Sequence, residues 1–255
     1  RAIAGQWAHN YPDQPDRHSE LTSGYGEEAY PNMSRMDWAV ELFGWFNYYL
    51  KDIGDEPEPM VQIQTNDGKW HVEDTWPPED MEWEIQELSS LWTQTGDSVN
   101  GFGETVTLVS QPFEEETHIS GLPTLHLDVS TQSCQGGQIF ATLYDNDDDL
   151  RLGHATMDVR YRDGGYNAKA TAPLTSYTML MEFNPLDVIV PEGHSLRLEL
   201  TESGEDYLPS PCATNPLGGL TVNGGNFGIP IIDRPESHDA WFLAPPWWEQ
   251  QPIPE

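Results

Sequence analysis

The sequence predicts a mainly β protein, a jelly-roll β-sandwich preceded by a short helical region. Two observations support this fold class. The spacing of apolar residues changes from a helical period to strict alternation near residue 55, and clusters of Gly, Pro, Asn and Asp separate the alternating segments. Seven or more short strands of this kind are typical of an antiparallel sandwich made of two sheets.

The amino-terminal region contains one predicted helix. Residues 1 to about 32 show no sustained period and predict a loop. Ser34 and Asp37 then resemble a helix cap, and the helix ends at the Gly and Pro residues of the run DIGDEPEP. We expect a domain boundary near residue 55, which divides the chain into residues 1–55 and 56–255. The apolar residues of the helix form a wide stripe: Trp38, Ala39, Leu42, Phe43, Phe46, Tyr49 and Leu50.

Segments beyond residue 55 alternate apolar with polar residues, as strands do when only one face of a sheet is buried. The predicted strands are 60–65, 104–110, 124–130, 138–144, 156–162, 176–183 and 194–200. One apolar face per strand predicts that each sheet packs that face against the other sheet.

The chain is strongly acidic. It has 43 Asp and Glu against 11 Lys and Arg, a formal net charge of -32, so its surface repels phosphate and no nucleic-acid partner is expected. The carboxylates are scattered through almost every segment. Since molar salt screens such self-repulsion, we expect a halophilic protein from a high-salt environment. An acidic surface for cation capture or for a basic partner is the alternative.

The remaining composition bears on location. No apolar run is long enough to span a membrane. Cys134 and Cys212 permit either one disulfide or two separate buried thiols, and a disulfide would favour an extracellular or cell-surface location over the cytoplasm. Because residue 1 is Arg, we expect the sequence to be a processed product or part of a longer protein.

A search for catalytic and metal-binding motifs finds little. No Gly-x-Ser-x-Gly elbow is present; the segment 96–100 has Asn in place of the second Gly, and Ser195 opens a predicted strand. Histidine pairs with metal-binding spacing are also absent, so no metal site and no cofactor are expected. The acidic run 145–149 predicts a solvated hairpin turn, with a calcium loop as the alternative.

Several motifs in order resemble one enzyme family. Gly5, Trp7 and His9 form a Gly-x-Trp-x-His loop, and a helix containing Trp45-Phe46-Asn47 and Leu50-Lys51 follows. Four later segments resemble motifs found in the β-domain of that enzyme family: TLVSQP, LYDNDDD, VRYRDG and PEGHSLRLEL. Together they are similar to the end of the α/β-hydrolase domain and the following jelly roll of the X-Pro dipeptidyl-peptidase and cocaine-esterase (CocE/NonD) family. The resemblance covers nearly the whole chain.

This resemblance implies roles for residues near the amino end. His9 would be the catalytic general base of a Ser-His-Asp triad, and Trp7 would line the substrate site, with a packing role as the alternative. Residues 1–55 would be the end of the α/β-hydrolase domain, and 56–255 the jelly roll. Asn47, where the family usually has Asp, should alter one local hydrogen bond.

The same comparison shows what the chain lacks. Triad order in this fold is Ser, Asp, His, yet residues 1–8 contain neither a nucleophile nor an acid. We therefore expect a truncated enzyme, a second chain that carries the front half, or a relic now used for binding. The leading interpretation is an enzyme that cleaves acyl bonds in peptide or ester substrates, incomplete without an upstream nucleophile. The alternative is a noncatalytic jelly-roll protein for binding or assembly at the cell surface, and homo-oligomer formation is left open.

Overall fold

A computed structural model describes residues 2–5, 38–56, 61–67, 69–132, 136–204, 212, 214–215 and 218–234. These residues form two compact units. The first comprises Arg1–Asp80, Asp187–Ile189 and Asp233–Glu255, and the second comprises Met81–Leu186 and Val190–Ile232. The break after Asp80 lies beyond the predicted domain boundary near residue 55, which stays a prediction.

The first unit is a small α/β arrangement. Its described elements are β1 (Ala2–Ala4), α1 (Trp38–Lys51), β2 (Val61–Gln64) and β3 (Trp70–Glu73). β1 pairs with β2 in parallel, whereas β2 and β3 form an antiparallel pair. Parallel strands cannot be joined by a tight turn, so the chain needs a crossover between β1 and β2, and α1 lies in it. The prediction of a loop over residues 1–32 is therefore wrong at Ala2–Ala4; the other residues of that range, apart from Gly5, lie outside the described residues.

The end of α1 follows from its local sequence. Asp52 adopts a left-handed backbone with φ of 57° directly after Lys51, and the Asp52 and Ile53 amides donate to the Tyr48 and Asn47 carbonyls, both at 3.0 Å. These bonds satisfy carbonyls that the helix itself leaves open. The Lys51 ammonium also donates to Asn47 Oδ1 at 3.0 Å, which is the local hydrogen bond that this position makes here.

The second unit is a β-sandwich. Its bounds are β4 (Glu82–Glu87), α2 (Leu88–Leu91), β5 (Trp92–Thr95), β6 (Ser98–Val99), β7 (Val106–Ser110), β8 (Thr117–Gly121), β9 (Thr124–Thr131), β10 (Gln138–Asp145), β11 (Leu150–Asp158), β12 (Ser176–Glu182), β14 (Leu196–Thr201) and β15 (Leu220–Ile232). β13 (Leu186–Val190) has its middle residues in the first unit.

Two antiparallel sheets make up the sandwich. One has the order β11-β10-β14-β7-β5, and the other has the order β12-β9-β15-β8, with β4 and β6 also paired to β15. Phe227 on β15 makes edge contacts with the rings of Trp92 and Phe183 at centroid distances of 5.7 and 5.6 Å. Because Trp92 belongs to β5, this contact joins the two sheets through the core. The mainly β class and the sandwich are confirmed.

The seven predicted strands all correspond to observed ones, with one shift. The segment 156–162 was expected to be a strand, but β11 ends at Asp158 and Val159–Tyr161 form a 3-10 turn. The Asp158 carboxylate accepts the Arg160 amide at 2.9 Å and caps this turn. The cap at Asp158 therefore ends β11, although the alternation of apolar and polar residues continues to residue 162.

The structure bears on the two cysteines. Cys212 is disulfide-bonded, and Cys134 is the only other cysteine in the sequence. This favours the disulfide over two separate thiols.

Of the helices among the described residues, none combines the length and the apolar character needed to cross a bilayer.

Candidate functional site

Strand β1 leads directly into the segment that resembles a catalytic loop. It ends at Ala4 and is followed by Gly5, while Trp7 and His9 come two and four residues later and lie outside the described residues. The structure therefore does not test the roles predicted for Trp7 and His9. In open α/β sheets, ligands bind beyond the carboxyl ends of parallel strands. The Gly-x-Trp-x-His segment thus begins at the carboxyl end of β1, which is the end where such sheets bind ligands.

The carboxyl end of β2 is a closed polar turn. The Thr65 amide donates to the Lys69 carbonyl at 2.9 Å, and the Asn66 side chain binds the backbone of Ile189 through two bonds of 2.7 and 3.0 Å. Gln64, Thr65 and Asn66 are all buried. An amide side chain that donates to a carbonyl and accepts from an N–H replaces one step of a β-ladder, so Asn66 fixes this turn.

A cluster of charged groups, buried at His71, Glu73 and Asp187 and exposed at Asp80, lies beside that turn. We define it as His71, Glu73, Asp80, Asp187 and Arg234, all in the first unit. The His71 ring binds Glu73 Oε1 through Nδ1 and Asp187 Oδ2 through Nε2, each at 3.0 Å. The guanidinium of Arg234 binds Glu73 at 2.6 and 2.9 Å and Asp80 at 2.7 and 3.1 Å. Two cations thus bridge three carboxylates.

The contacts within the cluster shift the pKa values of His71, Arg234 and Asp80. Burial alone would lower the pKa of His71, but the hydrogen bonds and charges of Asp187 and Glu73 outweigh it, so the pKa is raised. Hydrogen bonds to Glu73 and Asp80 raise the pKa of Arg234, and the same Arg234 bond lowers the pKa of the Asp80 carboxyl. With a carboxylate on each ring nitrogen, His71 holds its protons and offers no free nitrogen to a nucleophile. We interpret this cluster as a structural element of the first unit.

The acidic turn at 145–149 forms a second convergence of charged groups, in the second unit. Ligand atoms of Asp145, Asp147 and His194 lie within 4.8 Å of one another. His194 Nδ1 binds the Asp145 carboxylate at 2.9 Å, and this hydrogen bond raises the pKa of His194. Asp147 accepts the Ser195 amide at 2.8 Å, a bond that lowers the pKa of Asp147. These protein partners favour the predicted hairpin turn over the calcium loop, and calcium titration would distinguish the two.

The serines that the motif search considered have structural partners. Ser195 Oγ donates to Asp147 Oδ2 at 3.0 Å, while the neighbouring His194 binds Asp145 instead of the hydroxyl. Ser98 lies on the short strand β6 and donates to Glu104 at 2.7 Å. Within the described residues, neither serine hydroxyl is hydrogen-bonded to a histidine ring, so neither forms the nucleophile pair of a triad.

Sequence reasoning did not find the charge cluster. The search for histidine pairs did not single out His71, because its partner Asp187 is 116 residues away in the chain. The only local signal was Glu73, two residues from His71 on β3 and therefore on the same side of the strand.

Residues 54–234 match the family described as the X-Pro dipeptidyl-peptidase C-terminal non-catalytic domain. The chain belongs to this family. A search of curated protein sequences gives no match.

Solved structures of hydrolases share the fold of this family member. An aminopeptidase from a marine sediment archaeon, Thaumarchaeota archaeon, matches with a TM-score of 0.61 and 15% identity over 75% of this chain and 43% of its own. A CocE/NonD family hydrolase from Staphylococcus aureus matches with a TM-score of 0.57 and 15% identity over 85% and 48%. An α-amino acid ester hydrolase matches with a TM-score of 0.55 and 15% identity over 75% of this chain and 44% of its own. The chain spans less than half the length of each, and identity this low establishes the fold alone.

Proposed function

We propose that this chain is the carboxy-terminal part of a serine hydrolase that cleaves acyl bonds, as an X-Pro dipeptidyl-peptidase or a related esterase or amidase. One observation carries the proposal: β1 pairs in parallel with β2 across a helical crossover and ends directly before the Gly-x-Trp-x-His segment. A short parallel pair with this connection is typical of the last part of a doubly wound sheet. Family membership and the hydrolase structures that share the fold support it.

His9 has a defined role in this proposal. It takes a proton from a serine and returns it to the leaving group, while the serine and the acid come from an upstream portion or a second chain. Trp7, two residues earlier, borders the acyl-binding site. Peptide and ester substrates differ in their leaving group, so both fit this chemistry.

The proposal is tested in the complete enzyme by exchanging His9 for Ala. We expect kcat/KM toward Gly-Pro-p-nitroanilide or p-nitrophenyl acetate to fall by about 10³-fold or more. His18→Ala is the matched control, because it removes a second histidine from the same amino-terminal stretch, and it should leave the rate unchanged. Retained activity in His9→Ala with a folded protein would refute the role.

We also propose a halophilic, extracellular or cell-surface setting. The net charge of -32 and the disulfide at Cys212 support it. The thermal midpoint should rise as KCl increases toward molar concentration, because screening relieves repulsion among the carboxylates. A midpoint independent of KCl would contradict the high-salt hypothesis.

A second candidate is a noncatalytic role in binding or assembly at the cell surface. The family description favours it, since it calls the domain non-catalytic. Under this alternative His9→Ala would have no effect on any hydrolytic rate of the native protein.

A further inference from the structure

The outer face of the sandwich carries a polar cleft that the hydrolase proposal does not use. We call it the hydroxyl cleft; it measures about 350 Å³. It spans three neighbouring strands of one sheet, all in the second unit. Its lining residues are Asp128 and Ser130 on β9, Ser176, Tyr177 and Thr178 on β12, and Asn223 on β15.

The strand register brings these side chains together. Ser176 is paired with Ser130, and Thr178 with Asp128, so each pair lies directly across two strands on the outer face. Cross-strand neighbours of this kind are about 5 Å apart. Asn223 enters from the third strand at the irregularity between Val222 and Gly224.

A glycine lies across from Asp128 on the third strand. Gly224 is the partner of Asp128 on β15, and its φ of 141° is one that residues with a Cβ rarely adopt. A Cβ built there would meet no atom within 4 Å. The backbone of Gly224, across from Asp128, therefore faces open space.

Hydrogen bonds hold the polar groups in place before any ligand binds. Asn223 Nδ2 donates to Ser130 Oγ at 2.7 Å, Ser130 and Ser176 hydroxyls are 3.3 Å apart, and Thr178 donates to Asp128 Oδ1 at 2.8 Å. Among the described residues, Asp128 Oδ2 and Asn223 Oδ1 have no hydrogen-bond partner. Both are exposed acceptors beside hydroxyls that donate and accept, and this mixture complements neighbouring alcohol groups.

Tyr177, between Ser176 and Thr178 on β12, is held by two contacts. Its hydroxyl accepts the Ala172 amide at 2.8 Å, and the Arg162 guanidinium lies over its ring, 4.4 Å from the centroid. The ring is therefore already occupied by a cation, which disfavours an ammonium ligand there.

Charge and composition restrict the ligand further. Among the described lining residues Asp128 alone is charged, and together with the net charge of -32 it disfavours anions. One carboxylate is too few for a hard divalent cation, which takes six or more oxygens in the case of calcium. None of the lining residues that the structure describes is aliphatic. A neutral ligand rich in hydroxyl groups satisfies all of these conditions.

We propose that the hydroxyl cleft binds a neutral carbohydrate of one or two sugar units. Its volume is near the lower end of small-molecule sites, about 300–1,000 Å³, which suits a ligand of this size. The inference does not rest on the proposed function, because none of the cleft residues belongs to the segment that carries His9.

Titration of the intact chain with sugars tests the inference. Saturation-transfer NMR and calorimetry would use glucose, galactose, xylose, maltose and cellobiose, in salt where circular dichroism shows a folded protein. We expect at least one to bind with a Kd on the order of 1 mM, since the cleft is open to solvent. Choline and glucuronate serve as cationic and anionic probes and should not bind.

Variants locate the binding. Replacing Asp128 and Asn223 by Ala together should weaken binding at least about tenfold. Glu182→Ala, an exposed carboxylate on β12 outside the lining, is the control and should bind like the parent. If the double variant has a lower thermal midpoint, Asn223→Ala alone at the exposed bulge is the test, with a loss of at least about threefold.

The inference is overturned by any of three results. These are no saturable signal from any of the five sugars, equal binding by the cleft variants and the parent, and binding of choline or glucuronate in place of the sugars. Hydrolytic activity does not enter the measurement, so its outcome is separate from that of the His9 test.

Discussion

The two units handle apolar and charged side chains in opposite ways. In the second unit the large apolar residues are enclosed: Phe227 is 0% exposed and contacts rings of both sheets. In the first unit the stripe residues of α1 whose side chains are described face solvent, with Phe43 64% and Leu50 75% exposed, while a charge cluster is centred on the buried His71. The helix forms over Trp38–Lys51, and its predicted cap at Ser34 and Asp37 lies outside the described residues.

This difference indicates how each unit reaches stability. A sandwich whose strands bury one face apiece closes its own core. An exposed apolar stripe of several large residues is typical of a surface that another polypeptide segment covers. The contrast supports the proposal that an upstream portion or a second chain completes the first unit.

The largest expected effect comes from a matched pair of aromatic truncations. Phe227→Ala should lower the free energy of unfolding by about 3–5 kcal/mol, because it opens a cavity between the sheets. Phe43→Ala should change it by less than about 0.5 kcal/mol, because its ring already contacts water. Urea unfolding of both variants in the same salt measures the difference. Equal losses would show that α1 is covered in the isolated chain and would break the comparison.

A second pair compares the ion pairs of the two units. Glu73→Gln removes a buried carboxylate that serves both His71 and Arg234, so we expect a loss of about 3 kcal/mol. Glu199→Gln on β14 removes an ion pair to Arg197. Because the Glu199 carboxylate is 40% exposed, the free energy of unfolding should fall by less than about 1 kcal/mol. Chemical unfolding gives both values. A tolerated Glu73→Gln would mean that the charge cluster does not stabilise the first unit.

The smallest effect is a dependence on pH. The pKa of His71 is raised in the folded protein, whereas an unfolded histidine titrates near about 6.5. The stability that His71 contributes is therefore complete below about pH 6.5 and is lost as the pH rises through the higher folded value. Unfolding of the parent and of His71→Gln across this window should show a gap that narrows with rising pH. A gap that widens would contradict the assignment of a charged imidazole.

Alternation of apolar and polar residues was sufficient to predict the strands that bury one face. It did not predict β15 or β4. β15 contains Gly224, Gly225 and Pro230, which resemble turn signals, although it is a long strand at the centre of its sheet. β4, EWEIQE, was not predicted as a strand; Trp83 and Ile85 alternate with acidic residues, but both are exposed and only Gln86 is buried. Strands stabilised by their neighbours, instead of by their own pattern, are found only when tertiary pairing is known.

The charged and polar sites were less predictable for a related reason. Spacing in the sequence identified the 145–149 turn, because its residues are consecutive. It could not join His71 to Asp187, or bring Asn223 beside Ser130 at 93 residues' separation, since these depend on strand order and register. His9 and Trp7 were identified by family resemblance alone, and their roles stay predictions.

The central claim is that a serine nucleophile outside this sequence completes the site of His9. Labelling the protein from its native source with a fluorophosphonate probe, followed by mass spectrometry, tests this most directly. We predict a labelled Gly-x-Ser-x-Gly peptide on a longer polypeptide or on a chain that copurifies, and no label when His9 is replaced by Ala in the reconstituted enzyme. A homogeneous product of 28.8 kDa that takes up no label would contradict the account.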